Sequence, residues 1–186
     1  MIPIKTAAIC LASLPFGSCA PTECCSSKFN TPAHYDKIIH NYLNAWNGDL
    51  SLVNSTFAPA LSLEGDILPN GAGGYSAVGE LVHTAYDFEQ FIRRARSNFE
   101  VYTFTLNKWA GSDHNVVGRW TLNAVIADTF VLFPTTLKPG DKVSYNGTDF
   151  LTIDPCTGLI TEVAIAQDLF SLAVNLGNDV IVQPKN

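Results

Sequence analysis

Apolar residues recur every three or four positions near the start of the chain, which predicts a helix with one buried side. Thr31 followed by Pro32 is typical of the cap and first turn of such a helix. Asn47-Gly48-Asp49 predicts its end, and residues 50–58 predict a short second helix that completes a helical hairpin. The buried side of the first helix is expected to consist of Tyr35, Ile38, Ile39, Tyr42, Leu43 and Trp46.

A second helical pattern runs from Val78 to Phe99 and predicts one long helix. Residues 60–68, which precede it, alternate between apolar and polar and predict a strand. Four further strands are predicted after the helix, at residues 100–109, 115–126, 142–153 and 159–169. Because strands follow helices instead of alternating with them, we expect an α+β fold with helices packed on one face of a curved antiparallel sheet.

The composition is that of one folded domain. The chain has 186 residues, of which 47% are hydrophobic and 15% charged, so it is too apolar for a disordered protein. The formal net charge is −6, and basic residues cluster only at Arg93, Arg94 and Arg96. A broad nucleic-acid-binding surface is therefore excluded.

The N-terminal segment has the layout of a targeting signal. In residues 1–20, Lys5 precedes an apolar run that ends in small residues, which predicts a secretory signal peptide too short to span a membrane. Sequons at Asn54 and Asn146 predict N-glycosylation. We therefore expect a protein that is secreted or resides in the secretory pathway.

The remaining organisation follows from these signals. Residues 21–31 form a polar lead-in, residues 32–178 the domain and residues 179–186 a tail.

In an oxidising compartment, either Cys24 or Cys25 is expected to pair with Cys156, and the sequence leaves both pairings open. The ligand spacings of a zinc site are absent from the sequence, so no metal site is expected.

Four short segments carry a resemblance to a known family. They are Tyr42-x-x-x-Trp46-Asn47-Gly48-Asp49, Phe57-Ala58-Pro59, Val116-Val117-Gly118-Arg119-Trp120-Thr121-Leu122 and Thr157-Gly158-Leu159-Ile160-Thr161-Glu162. With the order of elements, they resemble the nuclear transport factor two-like fold and, within it, the SnoaL-like polyketide cyclases, over roughly residues 34–178. The resemblance implies a cone-shaped sheet wrapped around the long helix, a pocket inside it, and cyclisation or isomerisation without a metal or organic cofactor.

Two carboxylates are the candidate acid/base residues. The resemblance implies this role for Asp168 at the end of the last strand, where alternation places it on one side with Ala164 and Ala166. A solvated or hydrogen-bonded strand-end carboxylate is the alternative. If that side of the last strand lines a cavity, its apolar wall would raise the pKa of Asp168 toward neutrality. Asp149 shares the side of its strand that carries apolar residues such as Leu151, and strand slippage or a bulge near Gly147, which would turn it outward, is the alternative. If both face one pocket, repulsion would separate their pKa values into one proton donor and one acceptor.

Five further residues are candidates for binding a substrate. Tyr42, Trp46 and Trp120 are expected either to stack on a planar ligand or to pack in the core. Arg119 and Asn123 share one side of a strand and are expected to bind a carbonyl or phenol oxygen, with a structural Arg–carboxylate pair as the alternative for Arg119.

These features favour a cofactor-independent cyclase or isomerase that acts on a polyketide or terpenoid-like small molecule. A secreted protein that carries an apolar ligand without catalysis is the second hypothesis. The third is an interaction protein that forms a homodimer through the open face of its sheet.

Overall fold

The computed structural model describes residues 28–69, 75–77 and 81–179. The predicted signal peptide, Cys24 and Cys25, the glycine-rich segment 70–74 and the end of the tail at residues 180–186 lie outside the described residues. The helices are α1 (Pro32–Trp46), α2 (Val53–Thr56), α3 (Ala85–Arg96) and α4 (Leu169–Asn175), with a 3₁₀ turn at Leu50–Leu52. The strands are β1 (Phe57–Glu64), β2 (Ile67–Pro69), β3 (Tyr75–Ala77), β4 (Phe99–Ser112), β5 (Asn115–Ile126), β6 (Lys142–Ile153) and β7 (Ile160–Gln167).

Five strands form one sheet in the order β1-β7-β6-β5-β4, and β2 pairs with β3 separately. Helices pack against the five-stranded sheet, which confirms the predicted α+β fold. The sheet is mixed and not purely antiparallel, because β1 runs parallel to β7. Alternation along a chain identifies a strand but carries no information about the direction of its neighbour, so this pairing was not predictable from the pattern.

The first helix forms as predicted. The Thr31 side chain accepts a hydrogen bond from the His34 backbone N–H, and Pro32 occupies the first turn. Tyr35, Ile39 and Tyr42 are among the buried residues on the side that faces the sheet. The second arm of the predicted hairpin is only the 3₁₀ turn and α2.

The predicted long helix is wrong at its N-terminal end. Among the described residues the helix begins at Ala85, and Leu81, expected on its buried side, is 80% exposed. Thr84 caps the helix by accepting a hydrogen bond from the Asp87 backbone N–H at 3.1 Å and by donating one to the Asp87 carboxylate at 2.7 Å. This reciprocal cap fixes the start of α3 and overrides the apolar spacing upstream of it.

The core lies between the helices and one face of the sheet. It is rich in aromatic side chains, and the Phe88 ring contacts the rings of Tyr42, Trp46 and Phe57. Across the parts of the chain that the structure describes, no helix combines the length and apolar character needed to cross a membrane.

Candidate functional site

A cavity of about 220 Å³ lies between the sheet and the elements that cover it. Its walls are mostly aromatic and aliphatic. They are formed by Trp46, Phe91, Arg94, Ala95, Phe99, Tyr102, Phe104, Trp120, Phe130, Leu132, Phe133, Val143, Tyr145, Asp149, Ile165, Gln167, Leu172 and Leu176. Apolar walls with a few polar groups are typical of sites for small organic ligands.

Asp149 is the acidic residue of this wall. It lies in β6 on the buried side that alternation predicted, and it is 2% exposed. The Tyr42 hydroxyl and the Trp120 indole N–H both donate hydrogen bonds to its Oδ2, each at 2.8 Å. Oδ1 has no hydrogen-bond partner among the described residues. One oxygen of the carboxylate is therefore fixed by two hydrogen bonds, and the other has no partner among the described residues.

The surroundings of Asp149 set its acidity. Burial raises the pKa of this carboxyl group to about 7, and the hydrogen bonds from Tyr42 and Trp120 lower it by a smaller amount. The nearby Asp66 carboxylate adds a further rise through repulsion. A carboxyl group with this pKa is present in both protonation states near neutral pH, which suits it to both accept and donate a proton.

Hydrogen bonds around the end of α1 hold three cavity residues in place. Asn47 exchanges two hydrogen bonds with the Phe104 backbone, at 2.6 and 3.1 Å. Arg96 donates from one guanidinium nitrogen to the carbonyl oxygens of Trp46 and Tyr102, at 2.7 and 2.9 Å. Trp46 and Asn47, at the end of α1, are therefore joined to α3 and β4 at the cavity wall.

Two tyrosines and a glutamine supply further polar groups to the wall, and sequence reasoning missed all three. The Tyr145 hydroxyl donates to the Gln167 side-chain oxygen at 2.8 Å, and the Gln167 backbone N–H donates to Asp66 at 2.9 Å. Burial raises the pKa of Tyr102 and of Tyr145, so both hydroxyls stay protonated at neutral pH. Within the described residues, the Tyr102 hydroxyl forms no hydrogen bond.

The segment between β5 and β6 covers part of the cavity. Phe130, Leu132 and Phe133 line it, and the Phe130 ring contacts Phe99 edge-on. The segment is anchored at both ends: the Val131 N–H donates to the Asn98 side chain, and the Thr136 N–H donates to the Leu176 carbonyl. The sequence predicts no element for this segment, because its apolar residues have neither helical nor strand spacing.

Asp168 does not face the cavity. It is exposed, and its side chain caps α4 by accepting a hydrogen bond from the Ser171 N–H at 3.0 Å. The opposite side of β7, with Ile165 and Gln167, lines the cavity. The expected orientation of Asp168 is therefore corrected, and its environment matches the alternative of a hydrogen-bonded strand-end carboxylate.

The five candidate binding residues lie in three places. Trp46 and Trp120 line the cavity, whereas Tyr42 lies behind the wall, where it is fully buried and bound to Asp149. Arg119 and Asn123 lie on the outer side of β5, and Arg119 donates to the Thr148 hydroxyl at 3.1 Å. These two residues therefore do not contribute to the cavity, because successive residues of a strand point to opposite sides and the even-numbered residues of β5 form its inner side.

The remaining predicted sites lie on the surface or in a turn. Asn54 is exposed on α2, and Asn146 is half-buried in β6, where its side chain accepts a hydrogen bond from Thr121 at 2.6 Å. Cys156 lies in the exposed turn before β7, and both of its predicted partners lie outside the described residues. Nowhere in residues 28–69, 75–77 and 81–179 does a group of three or more His, Cys, Asp or Glu side chains lie close enough to hold a metal ion.

The chain is similar in structure to several small bacterial proteins. TsrD from Streptomyces laurentii is 22% identical with a TM-score of 0.61, and the match covers 79% of this chain and 97% of TsrD. A candidate SnoaL-like polyketide cyclase from Jannaschia sp. CCS1 is 15% identical with a TM-score of 0.61, covering 81% and 97% of the two chains. IdmH, a candidate polyketide cyclase from Streptomyces antibioticus, is 16% identical with a TM-score of 0.60, covering 77% and 98%.

These likenesses show a shared fold. No curated protein sequence matches the chain. The sequence profile of the SnoaL-like domain matches residues 39–163, which include Tyr42, Trp120 and Asp149. The chain therefore belongs to the SnoaL-like domain family, with the nuclear transport factor two-like fold that its sequence predicted.

Proposed function

We propose that this protein is a cofactor-independent cyclase or isomerase, and that Asp149 is its acid/base residue. The observation that carries the proposal is the carboxylate itself. It lies in the wall of an apolar cavity, with Oδ2 bound by Tyr42 and Trp120 and Oδ1 without a protein partner. A polyketide or terpenoid-like intermediate is the class of substrate that fits the apolar, aromatic walls and the family.

The proposed reaction begins with transfer of a proton from carbon. Oδ1 of the ionised Asp149 takes a proton from a carbon next to a substrate carbonyl, and the C–H electron pair forms an enolate. In an isomerisation, the protonated Asp149 returns the proton to a different carbon. In a cyclisation, the enolate carbon bonds to a second carbonyl carbon, and the proton goes to the new alkoxide oxygen. Both routes regenerate the carboxylate, so neither needs an additional reactant.

The Tyr102 hydroxyl is placed to assist this step. It lines the same cavity, stays protonated at neutral pH, and has no hydrogen-bond partner among the described residues. A protonated hydroxyl can donate to the carbonyl oxygen on which negative charge develops, and such a donor is worth most in a site that excludes water. We assign Tyr102 this role in the proposed reaction.

Replacing each candidate carboxylate separately tests the proposal. Asp149→Asn keeps the size of the side chain and an oxygen that can accept from Tyr42 and Trp120, but it removes the base. A panel of aromatic poly-β-ketone and terpenoid enone intermediates is incubated in D₂O with each protein. Product mass, deuterium uptake and ligand binding are read by mass spectrometry.

The wild type is expected to convert at least one compound. An isomerised product should carry deuterium at the carbon that is reprotonated, whereas a cyclised product is identified by chromatographic separation from its substrate of equal mass. Asp149→Asn should bind that compound and lose turnover by about 10²-fold or more, as expected for loss of a general base. Asp168→Asn is the matched control and should retain turnover, since Asp168 is exposed outside the cavity. Binding without conversion by the wild type across the panel would instead favour the ligand-carrier hypothesis.

A further inference from the structure

Three arginines lie in the last two turns of α3, and two of them are engaged by the protein. Arg93 donates two hydrogen bonds to the Glu89 carboxylate, at 2.6 and 2.9 Å. Arg96 is bound to the carbonyl oxygens of Trp46 and Tyr102. Each of these two guanidinium groups therefore has a structural partner.

Arg94 is different from both neighbours. Within the described part of the chain, its side chain forms no ion pair and no hydrogen bond. The residue is exposed, yet it lines the cavity beside Phe91 and Ala95 of the same helix. A residue that is both exposed and part of the wall lies where the cavity opens to solvent. Arg94 therefore lies at the entrance of a mostly apolar cavity, with a positive charge that no described residue pairs.

The chemistry of this entrance selects one class of ligand. A guanidinium group binds a carboxylate through two parallel hydrogen bonds, and the attraction is stronger where neighbouring apolar walls exclude water. Among the described residues of the wall, Arg94 is the one cationic residue, so the entrance matches a single negative charge better than a doubly charged phosphate. The apolar interior at the same time favours a hydrophobic body.

We infer that the cavity accepts amphiphilic carboxylates, with an apolar body inside and a carboxylate that binds Arg94 at the entrance. The inference rests on the proposed function only in placing the substrate in this cavity. Arg94 then acts as a specificity residue: it fixes which end of the molecule points outward and which end reaches Asp149. Acids would be preferred over their esters and amides as substrates.

Two ligands of almost equal shape test this inference without any catalysis. They are 2-naphthoate, which carries a carboxylate, and 2-naphthamide, which is neutral. Binding to the full-length protein is followed through the fluorescence of Trp46 and Trp120, which line the cavity. The titrations are made at about pH 6, where the naphthoate is ionised and Asp149 is mostly protonated.

The wild type is expected to bind the acid about fivefold more tightly than the amide, the size of a favourable ion pair at a partly exposed site. Arg94→Gln should abolish this preference, because it weakens binding of the acid more than binding of the amide. Arg93→Gln is the matched control. It removes a neighbouring charge from the same helix end but should keep the preference, because Arg93 is paired with Glu89.

Three results would overturn the inference. They are equal binding of acid and amide by the wild type, a preference for the acid that persists in Arg94→Gln, and no binding of either ligand. Thermal unfolding of each variant verifies that it is folded. This binding test does not depend on the acid/base proposal. The Asp149→Asn variant should keep the preference for the acid, and it should do so even if no protein in the turnover assay converts a substrate.

Discussion

The ring of Trp120 occupies the space that a side chain at position 147 would fill. A Cβ atom built on Gly147 would lie 2.1 Å from Cζ2 and 2.3 Å from Cη2 of Trp120. The two residues face each other directly across β5 and β6. Because Gly147 has no side chain, the indole ring lies along β6 and its N–H reaches Asp149, two residues further on. A glycine thus creates the geometry of the candidate acid/base residue without touching it.

Replacement of Gly147 by alanine is therefore expected to disturb both stability and Asp149. The new methyl group cannot coexist with the indole ring, so Trp120 must move and its hydrogen bond to Asp149 is lost. Overpacking of this kind costs ~1–3 kcal/mol in the free energy of unfolding, which urea denaturation measures. Ser144→Ala, a small change on the outer side of the same strand, should cost much less. Equal stability of Gly147→Ala and the wild type would contradict this account.

Asp149 and Asp168 show how far the sequence could identify the site. In β6, alternation placed Asp149 with apolar residues on the buried side, and the unshifted pairing of β5 with β6 through Gly147 shows that no bulge turns it outward. In β7, alanines occupy one side and Val163 and Ile165 the other, so the pattern could not decide which side faces the cavity. The resemblance to a family then favoured Asp168. Its actual role as a helix cap depends on α4, which the sequence reasoning had not identified.

Tyr42 shows the limit set by distance along the chain. Helical spacing predicted that its ring is buried, and this was correct. Its hydroxyl, however, binds a carboxylate 107 residues away, and only the packing of α1 against the sheet, on β4 and β5, brings the two together. Periodicity predicts which side of an element is buried but not which polar atoms meet across the core.

The raised pKa of Asp149 predicts that the protein loses stability as the pH rises. The folded protein retains the Asp149 proton up to about pH 7, whereas the unfolded chain releases it near the ordinary value of about 4. Between these two values the folded state binds more protons, so the free energy of unfolding falls with increasing pH, by at most ~1.4 kcal/mol per pH unit from this group. Below about pH 4 and above about pH 7 its contribution is constant.

Urea denaturation at a series of pH values measures this slope. The Asn side chain of Asp149→Asn does not titrate. The decrease in the free energy of unfolding between pH 4 and 7 should therefore be smaller in the variant by the contribution of Asp149. The slope is the quantity to compare, because in the variant the amide nitrogen takes the position of Oδ1, where no described residue accepts a hydrogen bond, and this lowers stability equally at every pH. Identical slopes for the two proteins would show that Asp149 titrates normally.

Removal of the Tyr42 hydroxyl is expected to make Asp149 a weaker acid. The hydroxyl donates to Oδ2 and lowers the pKa of the carboxyl group, so Tyr42→Phe should raise that pKa. A higher pH would then be needed to ionise Asp149, so the rising limb of the pH–rate profile should shift to higher pH. The same shift should appear in the pH dependence of stability, which can be measured without a substrate.

Tyr35→Phe is the matched control for this experiment. Tyr35 is a buried tyrosine on the same side of α1, but its hydroxyl donates to Asn30, which precedes the N-terminal cap of the helix. Its replacement should alter stability without moving the pKa of Asp149. A profile that shifts equally in both variants would mean that Tyr42 acts only by packing.

Contacts at the start of the described chain support the predicted disulfide bond to Cys156. The Phe29 ring lies against Gly158, where an added Cβ would be 2.5 Å from it, and a ring nitrogen of His34 is 2.9 Å from the Gly158 carbonyl oxygen. Three residues separate Cys25 from Phe29. Asp154 holds the turn in shape by accepting hydrogen bonds from the backbone N–H groups of Cys156 and Thr157, at 3.0 and 2.6 Å.

We therefore expect protein made in a eukaryotic secretion host to contain a disulfide between Cys156 and either Cys24 or Cys25. Digestion without reduction, followed by mass spectrometry, should yield a linked peptide pair that reduction separates. Cys156→Ser should lower the free energy of unfolding by ~2–4 kcal/mol, because the bond closes a long loop and restricts the unfolded chain. Cys24→Ser and Cys25→Ser, compared singly, identify the partner: only the variant that lacks it should behave like Cys156→Ser. Recovery of Cys156 solely as an unlinked peptide, with Cys156→Ser as stable as the wild type, would refute the pairing.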